Sequence, residues 1–145
     1  MAKPIVAEVQ IARPVEEVFD YLLQFENEVN WNQSLTRCEL LSGESGVVGA
    51  KYQQARKMMG QEMTASIELT DIEPGKRFVF RGTGGPAKIT GTYEVAASDG
   101  GSLVTASLEA GTMTSLMKPV IKPQLEKSLA ELKKLLEEGQ RDNTE

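Results

Sequence analysis

Residues 62–80 read EMTASIELTDIEPGKRFVF, and this stretch decides the fold class. Every second residue of its first half is apolar, namely Met63, Ala65, Ile67 and Leu69. This spacing is typical of a strand with one buried face. The turn residues Pro74 and Gly75 follow, and Phe78 and Phe80 then restart the alternation. The stretch therefore predicts an antiparallel hairpin that is apolar on one side only.

The same alternation continues on both sides of this hairpin. Turn signals rich in Gly, Pro, Ser and Asp separate the segments. The predicted strands are 4–11, 35–42, 50–58, 61–72, 76–82, 87–96 and 102–110. Short links make consecutive strands antiparallel neighbours. Several inward positions carry small residues, which either allow close packing or leave space: Ala65, Ala87, Gly91 and Ala106.

Helical spacing appears at both ends of the chain. A first helix begins at Pro14, and the polar stretch 24–33 predicts a short second helix or a turn. A long helix is predicted over about 114–138, with 113–118 as a looser lead-in because Pro119 and Pro123 lie near its start. Its apolar stripe consists of Ile121, Leu125, Leu129, Leu132 and Leu136. The order predicts an α+β protein with one domain over 1–139 and a frayed tail at 140–145.

The composition excludes several classes of function. The chain has 145 residues, a net charge of −5, and 16 basic residues that are scattered along it. Binding to nucleic acid or to anionic membranes needs a clustered basic surface, so neither is expected. No stretch approaches the roughly 20 apolar residues that span a bilayer, and the first residues do not resemble a secretory signal. Cys38 is the single cysteine, so a cytoplasmic location is the expectation.

The chemistry available to the chain is limited. It contains no histidine, which removes the commonest general base and metal ligand. We expect no metal and no cofactor, and the glycine-rich segment 82–86 predicts a turn because it lacks the Lys-Ser/Thr ending of a phosphate loop. The groups left for catalysis are Tyr52, Tyr93, Arg56 and the carboxylates.

Strand 50–58 departs from the one-sided pattern. Tyr52, Gln54, Arg56 and Met58 share the likelier inward face, although it is partly polar. A buried arginine needs a partner, and the carboxylate or phosphate of a ligand is one candidate. The alternative is that Arg56 lies in water or pairs with a glutamate at the end of the sheet.

Several motifs resemble those of a known superfamily. Residues 12–22, ARPVEEVFDYL, are similar to the xxPxEEVFxxL opening of the SRPBCC superfamily, which includes START-like, polyketide cyclase and lipid-transport proteins. The other motifs that resemble this superfamily are Asn30-Trp31-Asn32 with Cys38-Glu39-Leu40, the hairpin 68–78, the pair 91–95 and 100–105, and the helix end 128–137. Ser102 stands where the superfamily usually has threonine. The resemblance covers nearly the whole chain.

The resemblance implies a helix-grip fold, in which a curved seven-stranded antiparallel sheet surrounds a long C-terminal helix in the order β-α-α-β6-α. It also implies a cavity between the sheet and that helix. The leading hypothesis is therefore binding or carriage of a hydrophobic small molecule, lipid-like or polyketide-like. The alternatives are an enzyme of the polyketide cyclase or dehydratase type and a protein-interaction module. We expect a monomer or a homodimer.

The predicted lining follows from the inward faces and from the implied cavity. We assign no catalytic residue. The predicted ligand-binding residues are Trp31, Tyr52, Arg56, Met58, Met63, Ala65, Ile67, Phe78, Phe80, Ile89, Tyr93, Ala106, Met117 and Ile121. For the tyrosines the alternative is a core residue with a satisfied hydroxyl. Trp31 either flanks the cavity mouth or anchors the short helix, and Met117 either lines the mouth or fills a gap.

Overall fold

A computed structural model of the protein describes residues 4–58, 60–82, 89–110 and 118–143. The strands are β1 Ile5–Ile11, β2 Leu35–Ser42, β3 Lys51–Met58, β4 Gln61–Glu73, β5 Arg77–Gly82, β6 Ile89–Ser98 and β7 Gly101–Ala110. The helices are α1 Val15–Leu23, a 3₁₀ helix Phe25–Asn30, and α2 Lys118–Asn143. None of these described helices is long and apolar enough to cross a membrane.

The seven strands form one antiparallel sheet in the order β1-β7-β6-β5-β4-β3-β2. Strands β2 to β7 follow each other in space as they do in the chain, because the turns between them are short. β1 pairs with β7 at the far edge, since α1 and the 3₁₀ helix carry the chain across one face of the sheet. The predicted α+β class and order of elements are confirmed.

A bulge bends the sheet near its centre. The pairing of β4 with β5 shifts between Leu69 and Asp71, so Thr70 is an extra residue. Two similar shifts interrupt the pairing of β2 with β3. Bulges bend the strand that contains them and increase its twist. The sheet therefore has a concave face, which α2 covers in part.

The position of α2 is fixed along β1 and at its C-terminal end. Its buried stripe consists of Leu125, Ser128, Leu129, Leu132 and Leu136. The helix packs along β1, and the backbone N–H of Ala12 donates a hydrogen bond of 2.8 Å to Glu137. α2 runs from 118 to 143 with Pro123 inside it, so it continues past the predicted end at 138.

Aromatic rings fill the middle of the concave face. Phe78 contacts Phe19, Phe25 and Tyr93 with ring centroids 5.3–5.7 Å apart. A Cβ atom at Gly91 would overlap the ring of Phe80, so this glycine allows close packing and does not leave space. The small inward residues therefore have different roles, because Ala106 is also buried whereas Ala65 is exposed. Ala87 lies outside the described residues.

The start of β7 packs tightly under the end of β1. Gly101 is buried, and a Cβ atom added to it would overlap the carbonyl oxygen of Ile11. The next residue, Ser102, is fully buried and donates a hydrogen bond of 2.6 Å to the Arg13 carbonyl. The backbone between β1 and α1 is thus held directly against β7.

We predict that Gly101→Ala lowers the free energy of unfolding by about 1–3 kcal/mol, because the backbone of Ile11 has to move away from the added methyl group. The matched control is Gly82→Ala, whose Cβ atom would have its nearest neighbour at 3.6 Å. Urea unfolding curves of the two variants provide the measurement. Equal midpoints for both variants would contradict the prediction.

Candidate ligand-binding site

One end of the concave face is apolar and open. Along β4 the inward positions change from exposed, at Met63 and Ala65, to buried, at Ile67 and Leu69. Met63 is 54% exposed, and Ile89 at the start of β6 is 39% exposed. Apolar side chains on the inner face of a sheet are normally covered. We call this region the open end of the sheet.

The first turns of α2 lie above the open end. The last turns of the helix are attached to Ala12, just beyond β1, so its first turns lie over the opposite end of that strand. At that end, Ile5 of β1 pairs with Leu108 of β7. Two residues further along β7, Ala110 pairs with Ile89, so Ile89 lies at the same end of the sheet. Ile121 packs partly buried against the core at this end, and Val120 is 70% exposed.

A chain of hydrogen-bonded polar side chains runs from β3 to α2, with Gln54 and Ser128 buried at its ends and Glu28 and Asn32 half-buried between them. Gln54 donates a hydrogen bond of 3.2 Å to one carboxylate oxygen of Glu28, and Asn32 donates one of 2.8 Å to the other. The Asn32 side-chain oxygen accepts a hydrogen bond of 3.4 Å from Ser128. Gln54 and Ser128 are each only 5% exposed. This polar cluster therefore connects β3, the 3₁₀ helix and α2.

Charges in and beside the polar cluster affect one another. Burial raises the pKa of Glu28, while hydrogen bonding from Asn32 and the positive charge of Arg56 partly oppose the increase. Burial also raises the pKa of Tyr93 well above its usual value, and the negative charge of Glu28 adds to this effect. Glu28, Arg56 and Tyr93 are therefore close enough to interact electrostatically.

One buried hydrogen-bond donor here has no acceptor among the described residues, and two further donor side chains, Tyr93 and Arg56, lie near it. Trp31 is 3% exposed, and its indole nitrogen Nε1 has no hydrogen-bond partner. Its ring meets the ring of Tyr93 edge-on with centroids 6.2 Å apart. Arg56 forms no ion pair within 4 Å in the described part of the chain.

Tyr52 differs from the other predicted lining residues. It is fully buried, and its ring stacks on Phe25 with centroids 5.0 Å apart. Its hydroxyl accepts a hydrogen bond of 3.0 Å from the backbone of Gly46 and lies 3.2 Å from the Ser45 hydroxyl. Tyr52 thus holds the loop between β2 and β3, which matches the alternative of a core residue with a satisfied hydroxyl.

The structure brings most of the other predicted residues together on the concave face. Phe78, Phe80, Tyr93 and Ala106 form its buried floor, with Trp31 beside them. Met63, Ala65, Ile67, Ile89 and Ile121 lie toward the open end, and Arg56 pairs with Met63 on neighbouring strands. The side chain of Met58 and the whole of Met117 lie outside the described residues. Whether these residues bind a ligand remains a prediction.

Sequence reasoning missed Glu28, Asn32 and Ser128. Glu28 and Asn32 lie in a polar stretch whose only visible signal is their spacing of four residues, which places side chains on the same side of a helical turn. Ser128 interrupts the apolar stripe of α2, and a polar residue in a buried stripe needs a partner. That signal was present in the sequence, but the partner lies 96 residues away.

Cys38 is next to the polar cluster and is unreactive. Burial, reinforced by the negative charge of Glu28, raises the pKa of the thiol to about 12. A thiol with this pKa stays protonated at neutral pH and is a poor nucleophile.

A depression of about 380 Å³ lies on α2, lined by Ala130, Lys133, Lys134, Glu137 and Glu138. None of these five residues belongs to the predicted lining.

Comparison with known proteins identifies the architecture. A family model described as polyketide cyclase / dehydrase and lipid transport matches residues 4–137. A crystal structure from Deinococcus radiodurans is 20% identical, with a TM-score of 0.72, and the match covers 94% of this chain and 99% of that one. A comparison with curated proteins finds no match.

Two further solved structures have the same fold. The major latex-like protein 151 of Panax ginseng is 18% identical over 90% of this chain and 95% of its own, with a TM-score of 0.72. The di-domain ARO/CYC BexL, from the BE-7585A biosynthetic pathway, is 14% identical, with a TM-score of 0.76 over 94% of this chain and 47% of BexL. These similarities confirm the predicted helix-grip fold.

We predict that the free energy of unfolding of Glu28→Gln, minus that of the unsubstituted protein, increases as the pH rises from 4 to 7. The pKa of Glu28 is higher in the folded than in the unfolded chain, so the folded state binds the proton more tightly. The stability that Glu28 contributes below its pKa in the unfolded chain is therefore lost as the pH rises through its pKa in the folded chain. Glutamine does not titrate. It has one acceptor oxygen fewer than the carboxylate, and this loss changes the free energy of unfolding by an amount that does not depend on pH.

Urea unfolding at several pH values measures this difference. The control is Glu8→Gln, which removes an exposed carboxylate from β1. A free energy of unfolding of Glu28→Gln, minus that of the unsubstituted protein, that stays constant or decreases between pH 4 and 7 would contradict the prediction.

Proposed function

Because the chain belongs to the polyketide cyclase / dehydrase and lipid transport family, as the motifs in its sequence predicted, we propose that it binds a hydrophobic small molecule. The ligand lies between the open end of the sheet and the first turns of α2. One observation supports this most directly: the inner face of β4 and β6 leaves Met63 and Ile89 in contact with solvent. Burying such side chains against a ligand is favourable by about 25 cal/mol per Å² of apolar area.

The proposed lining is a subset of the residues expected from the sequence. It consists of Trp31, Arg56, Met63, Ala65, Ile67, Phe80, Ile89, Tyr93 and Ile121. Tyr52 is left out because it is fully buried and its hydroxyl already has partners. Pockets for small molecules are typically apolar with a few convergent polar groups, and this lining has that composition.

A charge placed at the open end tests the proposal. We predict that Ile89→Asp lowers the affinity for the neutral apolar fluorophore 1-N-phenylnaphthylamine at least about tenfold, because the ligand would bury an unpaired carboxylate. The matched control is Val6→Asp. Val6 is 41% exposed, close to the 39% of Ile89, but it alternates with the buried residues of β1 and so faces the opposite side of the sheet.

Fluorescence titration gives both affinities, and thermal unfolding checks that the two variants fold. Equal affinity in Ile89→Asp and Val6→Asp would show that the fluorophore does not occupy the open end. Native mass spectrometry of gently purified protein provides a second measurement. No copurified ligand and no uptake of the fluorophore would together overturn the proposal.

Catalysis is a second candidate, which the polar cluster favours. Glu28 is a carboxylate with a raised pKa next to a cation and a phenol. A carboxylate in such an environment can act as a general base. In a cyclase or dehydratase reaction, Glu28 would take a proton from the carbon beside a ligand carbonyl. Arg56 and Tyr93 would stabilise the enolate oxygen that forms.

Deuterium exchange tests this step without knowledge of the natural substrate. If Glu28 acts as the base, the protein accelerates incorporation of solvent deuterium into the methyl group of 2-acetylnaphthalene. Glu28→Gln then reduces this acceleration about 100-fold or more, and Glu8→Gln leaves it unchanged. No acceleration above buffer, with the ketone bound, would exclude this candidate and leave the binding function standing.

A further inference from the structure

We propose that the ligand is an uncharged apolar molecule with an acceptor oxygen, such as a ketone, a quinone or a lactone, and that Glu28 selects it against carboxylates. This inference rests on the proposed binding function and specifies its ligand class. The described part of the site combines an unpartnered buried donor and two further donor side chains with one carboxylate, each of whose oxygens already accepts one hydrogen bond. An uncharged carbonyl group matches both features.

The indole of Trp31 gives the strongest indication of an acceptor. Its N–H group can only donate a hydrogen bond. The residue is only 3% exposed, and this N–H group has no hydrogen-bond partner among the described residues. An unsatisfied buried donor costs about 1–3 kcal/mol. An acceptor oxygen on a bound ligand would remove this cost.

Tyr93 and Arg56 add donors in the same region. The Tyr93 ring contacts both Trp31 and Phe80, so its hydroxyl belongs to the same part of the concave face. Arg56 carries five N–H donors and no acceptor, and it has no ion-pair partner within 4 Å in the described residues. Taken alone, these donors would bind a carboxylate at least as well as a ketone.

Glu28 changes this preference. Each of its carboxylate oxygens already accepts a hydrogen bond, one from Gln54 and one from Asn32. Its negative charge compensates the positive charge of Arg56. A ligand carboxylate would therefore lie near a second carboxylate, and like charges at partly buried positions repel strongly. A neutral carbonyl uses the same donors without this repulsion.

The apolar part of such a ligand would lie against the exposed residues beside Arg56. Gln54 pairs with Ala65, and Arg56 pairs with Met63, on adjacent strands of the same face. The donors of β3 are thus directly beside the exposed apolar residues of β4. A molecule with its oxygen near Arg56 and its hydrocarbon against Met63 satisfies both regions at once.

Three ring-matched naphthalenes test the ligand class. They are 2-acetylnaphthalene, which is neutral with an acceptor, 2-naphthoate, which is a carboxylate, and 2-ethylnaphthalene, which has no acceptor. Each competes with 1-N-phenylnaphthylamine at pH 7.5. We expect the ketone to bind about tenfold more tightly than either of the others, which is the effect of roughly one buried hydrogen bond.

Two substitutions test the negative charge of Glu28 and the N–H donor of Trp31 separately. Glu28→Gln is expected to increase the affinity for 2-naphthoate about tenfold and to change that for 2-acetylnaphthalene less than about threefold, with Glu8→Gln as its control. Trp31→Phe keeps an aromatic ring but removes the donor. It is expected to reduce the preference for the ketone over the hydrocarbon about fivefold. If Trp31→Phe does not fold, Tyr93→Phe tests the same point.

The possible failures are distinguishable. Tightest binding of 2-naphthoate by the unsubstituted protein, or equal binding of the ketone and the hydrocarbon, overturns the ligand class and leaves the binding function in place. An unchanged affinity for 2-naphthoate in Glu28→Gln overturns the role of Glu28. If the fluorophore and all three naphthalenes fail to bind, the proposed function fails and this inference fails with it.

Discussion

The packing of α2 on the concave face of the sheet is the constraint on which the other features depend. An antiparallel sheet with one apolar face must cover that face. Here the stripe around Leu125, Leu129 and Leu132 covers it along β1, and the bulge at Thr70 bends the sheet toward the helix. One helix is too narrow to cover seven strands. The rest of the face is therefore covered by α1 and the 3₁₀ helix or remains open.

The open end follows from where the apolar stripe of α2 begins. Leu125 is almost fully buried, whereas Ile121 is only partly buried and Val120 is largely exposed. The first turns of the helix thus provide little cover for the sheet beneath them. Met63 and Ile89 lie at this end of the sheet and are exposed. The same geometry that stabilises the closed part of the core creates the surface to which we assign the ligand.

The polar cluster is unusual because it lies beside an aromatic core. Burying Glu28 costs free energy, and only hydrogen bonds to its carboxylate and the nearby Arg56 offset that cost. The cluster also links α2 to the 3₁₀ helix through Ser128 and Asn32. It therefore has a structural role as well as its proposed role in selecting a ligand.

The sequence by itself determined the α+β class, the seven strands and the family. Strand alternation, turn residues and the helical stripe are local patterns with periods of 2 and 3.6 residues, so they can be recognised without the fold. Each motif is weak by itself, but the order and spacing of the motifs over nearly the whole chain indicated the family. The inward faces of β4, β5 and β6 also follow from alternation alone.

Only the tertiary structure decided which inward residues are exposed to solvent and which already have packing or hydrogen-bond partners. Tyr52 and Tyr93 look alike in the sequence, yet the loop between β2 and β3 binds the hydroxyl of Tyr52, whereas the ring of Tyr93 packs against Trp31 and Phe80 on the concave face. The role of Glu28 can be recognised only from its hydrogen bonds with Gln54 and Asn32, and that of Ser128 only from its hydrogen bond with Asn32. Hydrogen bonds between distant segments depend on how the elements pack, and local periodicity carries no information about that packing.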